Sequence, residues 1–388
     1  MSKILLVTWF KSQNYGTILQ AYSLYKILKD SKICDIEGLY VNNAVSLLNY
    51  VSKSKSNSIL KKIKNNLNVN KSFDKVKNKV SKHFFKDDIK VRKLKNDNFI
   101  KKYINLYPNE CISKERLNKL EKFDYYVTGS DQIWNPNFLD DAYLLKWTQN
   151  GIKIAYSSCI CVDNIPEDRI EDYKCLKDFS TIMIRDNNNS KKQLGNLLNK
   201  KIDTVVDPVL LIGKNVIKDY ENVKNKNIEP YVFSYFLGND FDSRKYFKKF
   251  ANKNKIKAKS SVVVNDGNYY QDLLLKKYSI WNVDPLEFVE TICNSQVLFT
   301  DSFHAILIAV LFNKDFVVLK RENTGSQNNR IKEFLETVGL LERYNFLPNN
   351  ILEAHISKEK WSEVNDRVNK IRKESYEKLM DALGEKND

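Results

Sequence analysis

Nothing in this 388-residue chain approaches the ~18–20 consecutive apolar residues that a membrane-spanning helix needs. Its first residues run straight into a strand-like pattern and lack the layout of a secretory signal, so the cytoplasm is the expected location. Histidine is scarce, with three in the whole chain. The six cysteines (Cys34, Cys111, Cys159, Cys161, Cys175 and Cys293) are scattered, and no pair has zinc-finger or thioredoxin spacing. Cys159 and Cys161 would point to opposite faces of a strand. Small, mostly buried thiols are therefore expected, with neither a disulfide nor a zinc site. No Asp-x-Asp signature stands in a suitable turn, which argues against an obligatory metal, and no internal repeat is visible.

Charge is abundant and uneven. The formal net charge is +16, from 64 Lys and Arg against 48 Asp and Glu. Between Val51 and Ile104 stand 17 Lys or Arg and four Asp, 17 − 4 = +13, so most of the imbalance lies in one Lys/Asn/Ser-rich segment. Three readings fit it: a solvated helical excursion, a surface for anionic membrane, or a nucleic-acid patch. No helix-turn-helix, RNA-recognition or zinc-finger motif accompanies the charge, so nucleic acid is not an expected partner.

Short β-like runs alternate with longer amphipathic stretches, which predicts an α/β architecture with parallel sheets. Strands are expected at Ile4–Trp9, Ile36–Val41, Tyr125–Thr128, Lys153–Ser157, Thr181–Ile184 and Thr204–Val206. Helical runs are expected at Ile18–Leu28, Phe99–Tyr103, Lys114–Leu120 and Lys174–Phe179. A polar bridge from Gly213 to Glu229 ends at Pro230 and reads as a linker. A second series has strands at Tyr231–Phe236, Ser261–Val264, Val297–Thr300 and Phe316–Leu319, with a Pro-initiated helix from Pro285 to Asn294. A charged amphipathic helix fills residues 358 to 383. The expected domains are 1–212, carrying a Lys-rich insertion at about 51–104, then 230–357, then the helix of 358–388.

The sharpest motif is Asp301-Ser302-Phe303-His304-Ala305, a polar turn between an apolar strand and an apolar helix. A helix start offers unpaired N–H groups and partial positive charge, a natural anion site. The plainer alternative is that Asp301 and Ser302 cap the helix and His304 is a structural donor. Three further segments repeat the strand-to-turn pattern: Lys3–Trp9 followed by Asn14-Tyr15-Gly16 and Gln20; Tyr125–Val127 followed by Thr128-Gly129-Ser130-Asp131-Gln132-Ile133-Trp134-Asn135; and Thr181–Asp186 followed by Val205-Val206-Asp207-Pro208. Together, and in this order from Lys3 to about Arg343, these blocks resemble the polysaccharide pyruvyltransferase family, with a weaker patch between residues 40 and 98.

The resemblance implies two Rossmann-like domains facing a cleft, as in the glycosyltransferase architecture called GT-B, with the last helix crossing back onto the first domain. It implies transfer of a pyruvyl group from phosphoenolpyruvate, a co-substrate rather than a cofactor, to two hydroxyls of a sugar in a surface-glycan precursor. The acceptor would be lipid-linked at the inner membrane face or nucleotide-linked. Donor binding falls to Ser302, Phe303 and His304, with Arg185 and Arg330 as cations; Arg suits oxyanions because its planar fork binds them in bidentate fashion. Arg185 has an alternative as the ion-pair partner of Asp186 or Asp207, and Arg330 as a surface charge. His304, Arg185 and Asp131 are the candidate catalytic residues, Asp131 as a base toward a sugar hydroxyl. Asn14, Tyr15, Gly16, Gln20, Ser130, Gln132 and Trp134 are candidates for the acceptor, Trp134 by stacking on a pyranose. Asp207-Pro208 reads as a turn. Ala305 stands where the family usually has Gly, placing a methyl where a donor would approach the backbone. Two other readings stay open: a glycosyltransferase using a nucleotide sugar, and a non-catalytic glycan-binding module.

Overall fold

The computed structural model describes residues 1–52, 83–185, 189–217, 228–262, 269–321 and 325–384. Seven parallel strands form the first sheet: β1 (Lys3–Val7), β2 (Ala44–Tyr50), β3 (Leu106–Ile112), β4 (Tyr125–Thr128), β5 (Ile152–Ser158), β6 (Thr181–Ile184) and β7 (Asp203–Thr204), in the order β3-β2-β1-β4-β5-β6-β7. Four more, β8 (Tyr231–Tyr235), β9 (Lys257–Ser260), β10 (Val297–Thr300) and β11 (Asp315–Val318), form a second parallel sheet ordered β11-β10-β8-β9. The central strands are continuous apolar runs because helices cover both faces.

The expected strand at Ile36–Val41 is a loop, and the strand is β2 instead. Gly38 takes φ +148° within that run and interrupts it, while Val41 N–H donates to the Ser31 hydroxyl (2.8 Å). The expected strand at Ser261–Val264 is replaced by β9, and residues 263 and 264 lie outside the described residues. β9 is an edge strand carrying Lys257 and Lys259, the charged type that edges favour. β3, also at an edge, contains Pro108 and was not foreseen; proline is tolerated there because one side needs no ladder hydrogen bond. Residues Lys114–Lys119 and Lys174–Asp178 form tight 3₁₀ turns rather than α-helix.

Helices α1 (Tyr15–Lys29), α2 (Lys86–Tyr103), α3 (Pro208–Ile212), α4 (Pro285–Cys293), α5 (Phe303–Leu311), α6 (Gly325–Val338) and α7 (Lys358–Ala382) position the site. Helix α4 opens with Pro285 behind an Asp284/Glu287 capping box. One apolar core runs through α1, α3, α4, α5 and α7, so residues from both sheets share it. Helix α7 crosses back onto the first half. There Tyr376 O–H donates to the Ser31 hydroxyl (3.0 Å), Arg372 donates to the Cys34 and Leu211 carbonyls (2.8 and 3.1 Å), and Val206 N–H donates to the Ser375 hydroxyl (3.0 Å).

Helix α2 ends the Lys-rich segment, and it is not a free excursion. Phe85 and Arg92 are fully buried, Phe85 within the apolar cluster of the second half. The Arg92 guanidinium lies over the rings of Tyr15 (5.0 Å) and Trp281 (4.4 Å) and donates to the Ser261 hydroxyl (2.9 Å) and to the Val262 and Ile280 carbonyls. Residues Lys53 to Lys82, including Lys61, Lys62 and Lys64, lie outside the described residues.

Removing Arg92 would leave two carbonyls unpaired and a hole between two rings. We expect Arg92→Ala to lower unfolding stability by about 2–5 kcal/mol, read as a shifted urea midpoint. The exposed control Lys90→Ala should stay within ~0.5 kcal/mol of the parent. Equal midpoints for the two variants would show that α2 does not brace the two halves.

Candidate active site

In a parallel sheet every strand ends on the same side, so the carboxyl ends of β1, β4, β5, β6 and β7 line one edge, where open α/β sheets take ligands. Arg185 follows β6, Asp131 follows β4, Asp207 follows β7, and His304 follows β10 of the second sheet. Arg185 Nη1 donates to Asp207 Oδ2 at 2.6 Å and its Nη2 to Asp131 Oδ1 at 3.3 Å. His304 Nε2 stands 3.3 Å from that same Asp207 oxygen but is not aligned for a hydrogen bond. Arg185 and His304, from the two sheets, therefore converge on one carboxylate oxygen.

Asp207 is the hub, although its Asp-Pro sequence reads only as a turn. It does cap α3, accepting from Val209 N–H at 2.9 Å, and it is also the counter-ion of the cluster. Burial alone would raise its pKa; His304, Arg185 and the Val209 N–H outweigh that and hold it well below the ordinary value. Asp131 behaves alike: burial raises it, and Arg185, His304 and Arg330 together hold it low. Asp131 is thus an ion-paired carboxylate in this state rather than a ready base. Its backbone sits at φ 72°, which Asp tolerates better than most residues.

Arg330, on α6, approaches Asp131 Oδ1 at 4.0 Å, and the guanidinium groups of Arg185 and Arg330 both lie over the Phe303 ring, at 4.9 and 5.3 Å. Phe303, Arg185, Arg330 and Asp207 line a cavity of about 300 Å³ that also meets Lys191 and Lys378 and, of opposite charge, Asp203, Glu333 and Glu374. Two of the thiols expected to be structural lie against these cations: Cys159 Sγ is 3.6 Å from Arg185 Nη2 and Cys161 Sγ 3.9 Å from Arg330 Nη1. Both residues follow β5, and a strand end beside a cationic site was the signal available for them.

Several expected contacts fall elsewhere. Ser302 is fully buried; its N–H donates to the Thr300 hydroxyl (3.0 Å) and its own hydroxyl caps Ala305 N–H, so it is a structural cap. Asp301 accepts from the Leu237 and Gly238 N–H groups (2.6 and 2.7 Å) and binds Arg321, tying the β10 turn to the β8 turn. Ala305 is fully buried in the apolar core and lines no part of the cavity, so its methyl does not meet a ligand there.

The acceptor candidates divide. Gly16 is the seat of His304: a Cβ there would come within 2.4 Å of His304 Nδ1. Tyr15 is buried, stacked on Phe288 at 4.4 Å, with its hydroxyl donated to the Val283 carbonyl at 3.0 Å. Gln20 and Ser130 form a closed buried pair, Ser130 Oγ donating to Gln20 Oε1 at 2.7 Å while Gln20 Nε2 donates to the Trp9 and Thr17 carbonyls. Trp134 is a core residue whose indole N–H donates to the Tyr143 carbonyl (3.2 Å), so it cannot stack on a sugar. Asn14 caps α1 and, like Gln132, keeps a half-buried side chain. Among the described residues, no group of three or more His, Cys, Asp or Glu is placed to hold a metal, and no helix is long and apolar enough to cross a membrane.

The sequence profile of the polysaccharide pyruvyl transferase family matches residues 14–323, most of the chain. The chain belongs to that family. It is accordingly an enzyme, a polysaccharide-modifying transferase. No curated protein matches it significantly in sequence. Among solved structures it is similar to a Listeria monocytogenes protein assigned as a UDP-N-acetylglucosamine 2-epimerase (12% identity, 98% of this chain and 95% of that chain, TM-score 0.55). It is also similar to the UDP-GlcNAc 2-epimerase of Methanocaldococcus jannaschii (15%, 99% of both chains, 0.53) and to S. aureus MnaA, solved with UDP (12%, 100% and 98%, 0.53). At such identities the likeness is one of fold, and the fold of this transferase is GT-B-like.

The depressed carboxylates set a pH dependence. Asp131 and Asp207 titrate below the ordinary 3.8 when folded, so on acidification the unfolded chain binds protons first. Their contribution to stability is complete above about pH 5 and is lost as pH falls through the ordinary carboxylate range and below it. In melting curves from pH 7 to pH 3, Asp207→Asn should lower the melting temperature at neutral pH and flatten its fall in acid. An unchanged acid slope would show that Asp207 is not the linked group.

Proposed function

We propose that this transferase moves a pyruvyl group from phosphoenolpyruvate to two hydroxyls of a sugar in a surface-glycan precursor, forming a cyclic ketal. The supporting observation is the small cavity in which the guanidinium groups of Arg185 and Arg330 share the Phe303 ring. Phosphoenolpyruvate is compact and carries a phosphate and a carboxylate, both suited to guanidinium groups. A nucleotide-sugar donor, which the epimerase-like fold also admits, needs room for base, ribose and sugar. A cavity of about 300 Å³ lies at the floor of the ~300–1,000 Å³ range of small-molecule sites, which favours the smaller donor. A merely glycan-binding module would have no need for Arg185 and His304 to meet on one buried carboxylate.

In the resting cluster two arginines face two carboxylates, so an arriving anion must compete for them. If the donor's phosphate takes Arg185 and Arg330, Asp131 loses two of the three groups that depress it, and its burial then pushes it toward the neutral acid. Neutral Asp131 is the group in this cluster suited to protonate the donor's methylene carbon while a sugar hydroxyl attacks the adjacent carbon. Phosphate then departs with the first hydroxyl's proton, its growing charge met by the arginines. The second hydroxyl closes the ring and returns its proton to Asp131. His304, seated on Gly16, serves as the neighbour that keeps Asp207 and Arg185 in place.

Phosphoenolpyruvate should raise the melting temperature of the full chain, since a ligand at ~100 times its Kd stabilises by about 2.7 kcal/mol. Arg185→Ala and Arg330→Ala should abolish that shift and cut transfer by roughly a hundredfold or more, and His304→Ala should slow transfer to a similar degree. Stabilisation by UDP-sugars and none by phosphoenolpyruvate would decide for the glycosyltransferase reading.

We further infer weak attachment to the inner face of the cell membrane, where a lipid-linked acceptor would lie. Supporting this are the +13 excess of Val51–Ile104 and, on described residues, the exposed Phe84, Val91 and Leu94 beside Lys90 and Lys93. Attraction reaches only about 8 Å at ~0.15 M salt. The protein should therefore sediment with anionic vesicles at low salt and be released at high salt, and Lys61, Lys62 and Lys64→Gln should weaken binding. Protein in the supernatant at both salts would reduce the segment to a solvated surface and favour a nucleotide-linked acceptor.

A further inference from the structure

A second cavity, of about 500 Å³, opens beyond the carboxyl ends of β1 and β2. Trp9 and Phe138 form a corner there, ring centroids 6.3 Å apart and planes at 75°, and Tyr143 meets Trp9 edge-on at 6.2 Å. Phe138 is 48% exposed and sits on the cavity wall. The polar groups of the wall are held in fixed roles. The Tyr50 and Ser52 hydroxyls both donate to Asp140 Oδ2, at 2.8 and 2.7 Å, so their oxygens are left as oriented acceptors. Lys11 Nζ donates one proton to Asn49 Oδ1 at 3.0 Å, leaving two further donors on the ammonium.

We propose that this cavity is the acceptor subsite and that it takes a pyranose ring, the C–H face lying on Trp9 or Phe138 and the hydroxyls meeting Tyr50, Ser52 and Lys11. A sugar presents one apolar face and a rim of hydroxyls that both donate and accept; the wall offers two aromatic faces, two fixed acceptors and a cationic donor. A lipid chain would leave the polar wall unused. The cavity and the arginine cluster stand at neighbouring strand ends: Trp9 follows β1 and Asp131 follows β4, which pairs with β1, and Gln20 ties the two turns by donating to the Trp9 carbonyl (2.7 Å) and accepting from Ser130 (2.7 Å). Trp9 thereby takes the stacking role that Trp134, buried in the core, cannot fill.

This inference rests on the reading of the chain as a sugar-modifying transferase, and its test separates the two. Saturation-transfer NMR on the full chain would use the methyl β-glycosides of glucose, galactose, mannose and N-acetylglucosamine. At least one should receive saturation from the parent protein. Trp9→Ala and Phe138→Ala should weaken its binding by roughly tenfold, which is about 1.4 kcal/mol, while Arg185→Ala leaves it unchanged. Phe138 is half exposed, so its truncation tests the site even if Trp9→Ala unfolds. The thermal shift with phosphoenolpyruvate should be the same in Phe138→Ala and in the parent. Glycoside signals unaltered in Phe138→Ala, or absent with all four probes, would overturn the subsite whatever phosphoenolpyruvate does. Glycoside binding lost in Phe138→Ala without any phosphoenolpyruvate shift in the parent would keep the subsite and discard the donor.

Discussion

A single buried carboxylate organises the site. Burying an isolated charge costs far more than a domain's net stability, so Asp207 can remain ionised only if cations and N–H donors are brought to it. Arg185 comes from the end of β6, Val209 N–H from the helix that Asp207 itself caps, and His304 from the second sheet. Meeting this one requirement draws together the carboxyl ends of strands from both halves. The same condition makes the arginines difficult to move: each is engaged with a carboxylate and with the Phe303 ring, so the cluster is preorganised and nearly neutral before any ligand enters.

The halves are held against each other by more than charge. His304 rests on the bare backbone of Gly16, Tyr15 N–H donates to the Tyr235 hydroxyl (3.2 Å), Arg92 bridges Tyr15 and Trp281, and α7 returns to the first sheet. The first turn of α1 is therefore a joint between halves, which explains why its Tyr15, Gly16 and Gln20 serve packing although they stand where ligands commonly bind. Two cavities are left open, the arginine-lined one against α6 and α7 and the aromatic one beyond β1 and β2.

How much was legible follows from burial. Tyr125–Thr128, Thr181–Ile184 and Val297–Thr300 are strands over the residues expected because central parallel strands are unbroken apolar runs. β3 and β9 were obscured because edge strands carry Pro and Lys in place of that signal, and the apolar residues from Ile36 to Val41 look like a strand that Gly38 interrupts. In the site, the approach of Arg185 to His304 was legible, since both follow strand ends. Their shared partner was not, because Asp207 before Pro208 has a sufficient local explanation as a helix cap. Trp134 misled for a related reason: an aromatic after a strand end can face a ligand or the core, and local pattern does not distinguish them.

The order of strands, turns and helices was written in the sequence, through apolar periodicity and turn chemistry that act over a few residues. From that order came the α/β architecture, the family and the set of residues standing at the carboxyl ends of strands. Which members of the set are buried, paired or open was decided only by the tertiary structure. Ion pairing and burial depend on distances between segments far apart in the chain, such as Arg185 and Asp131, 54 residues apart, or Tyr15 and Tyr235, 220 apart. A side chain's charge and shape are local properties, whereas the partners that neutralise or cover it are supplied by the fold.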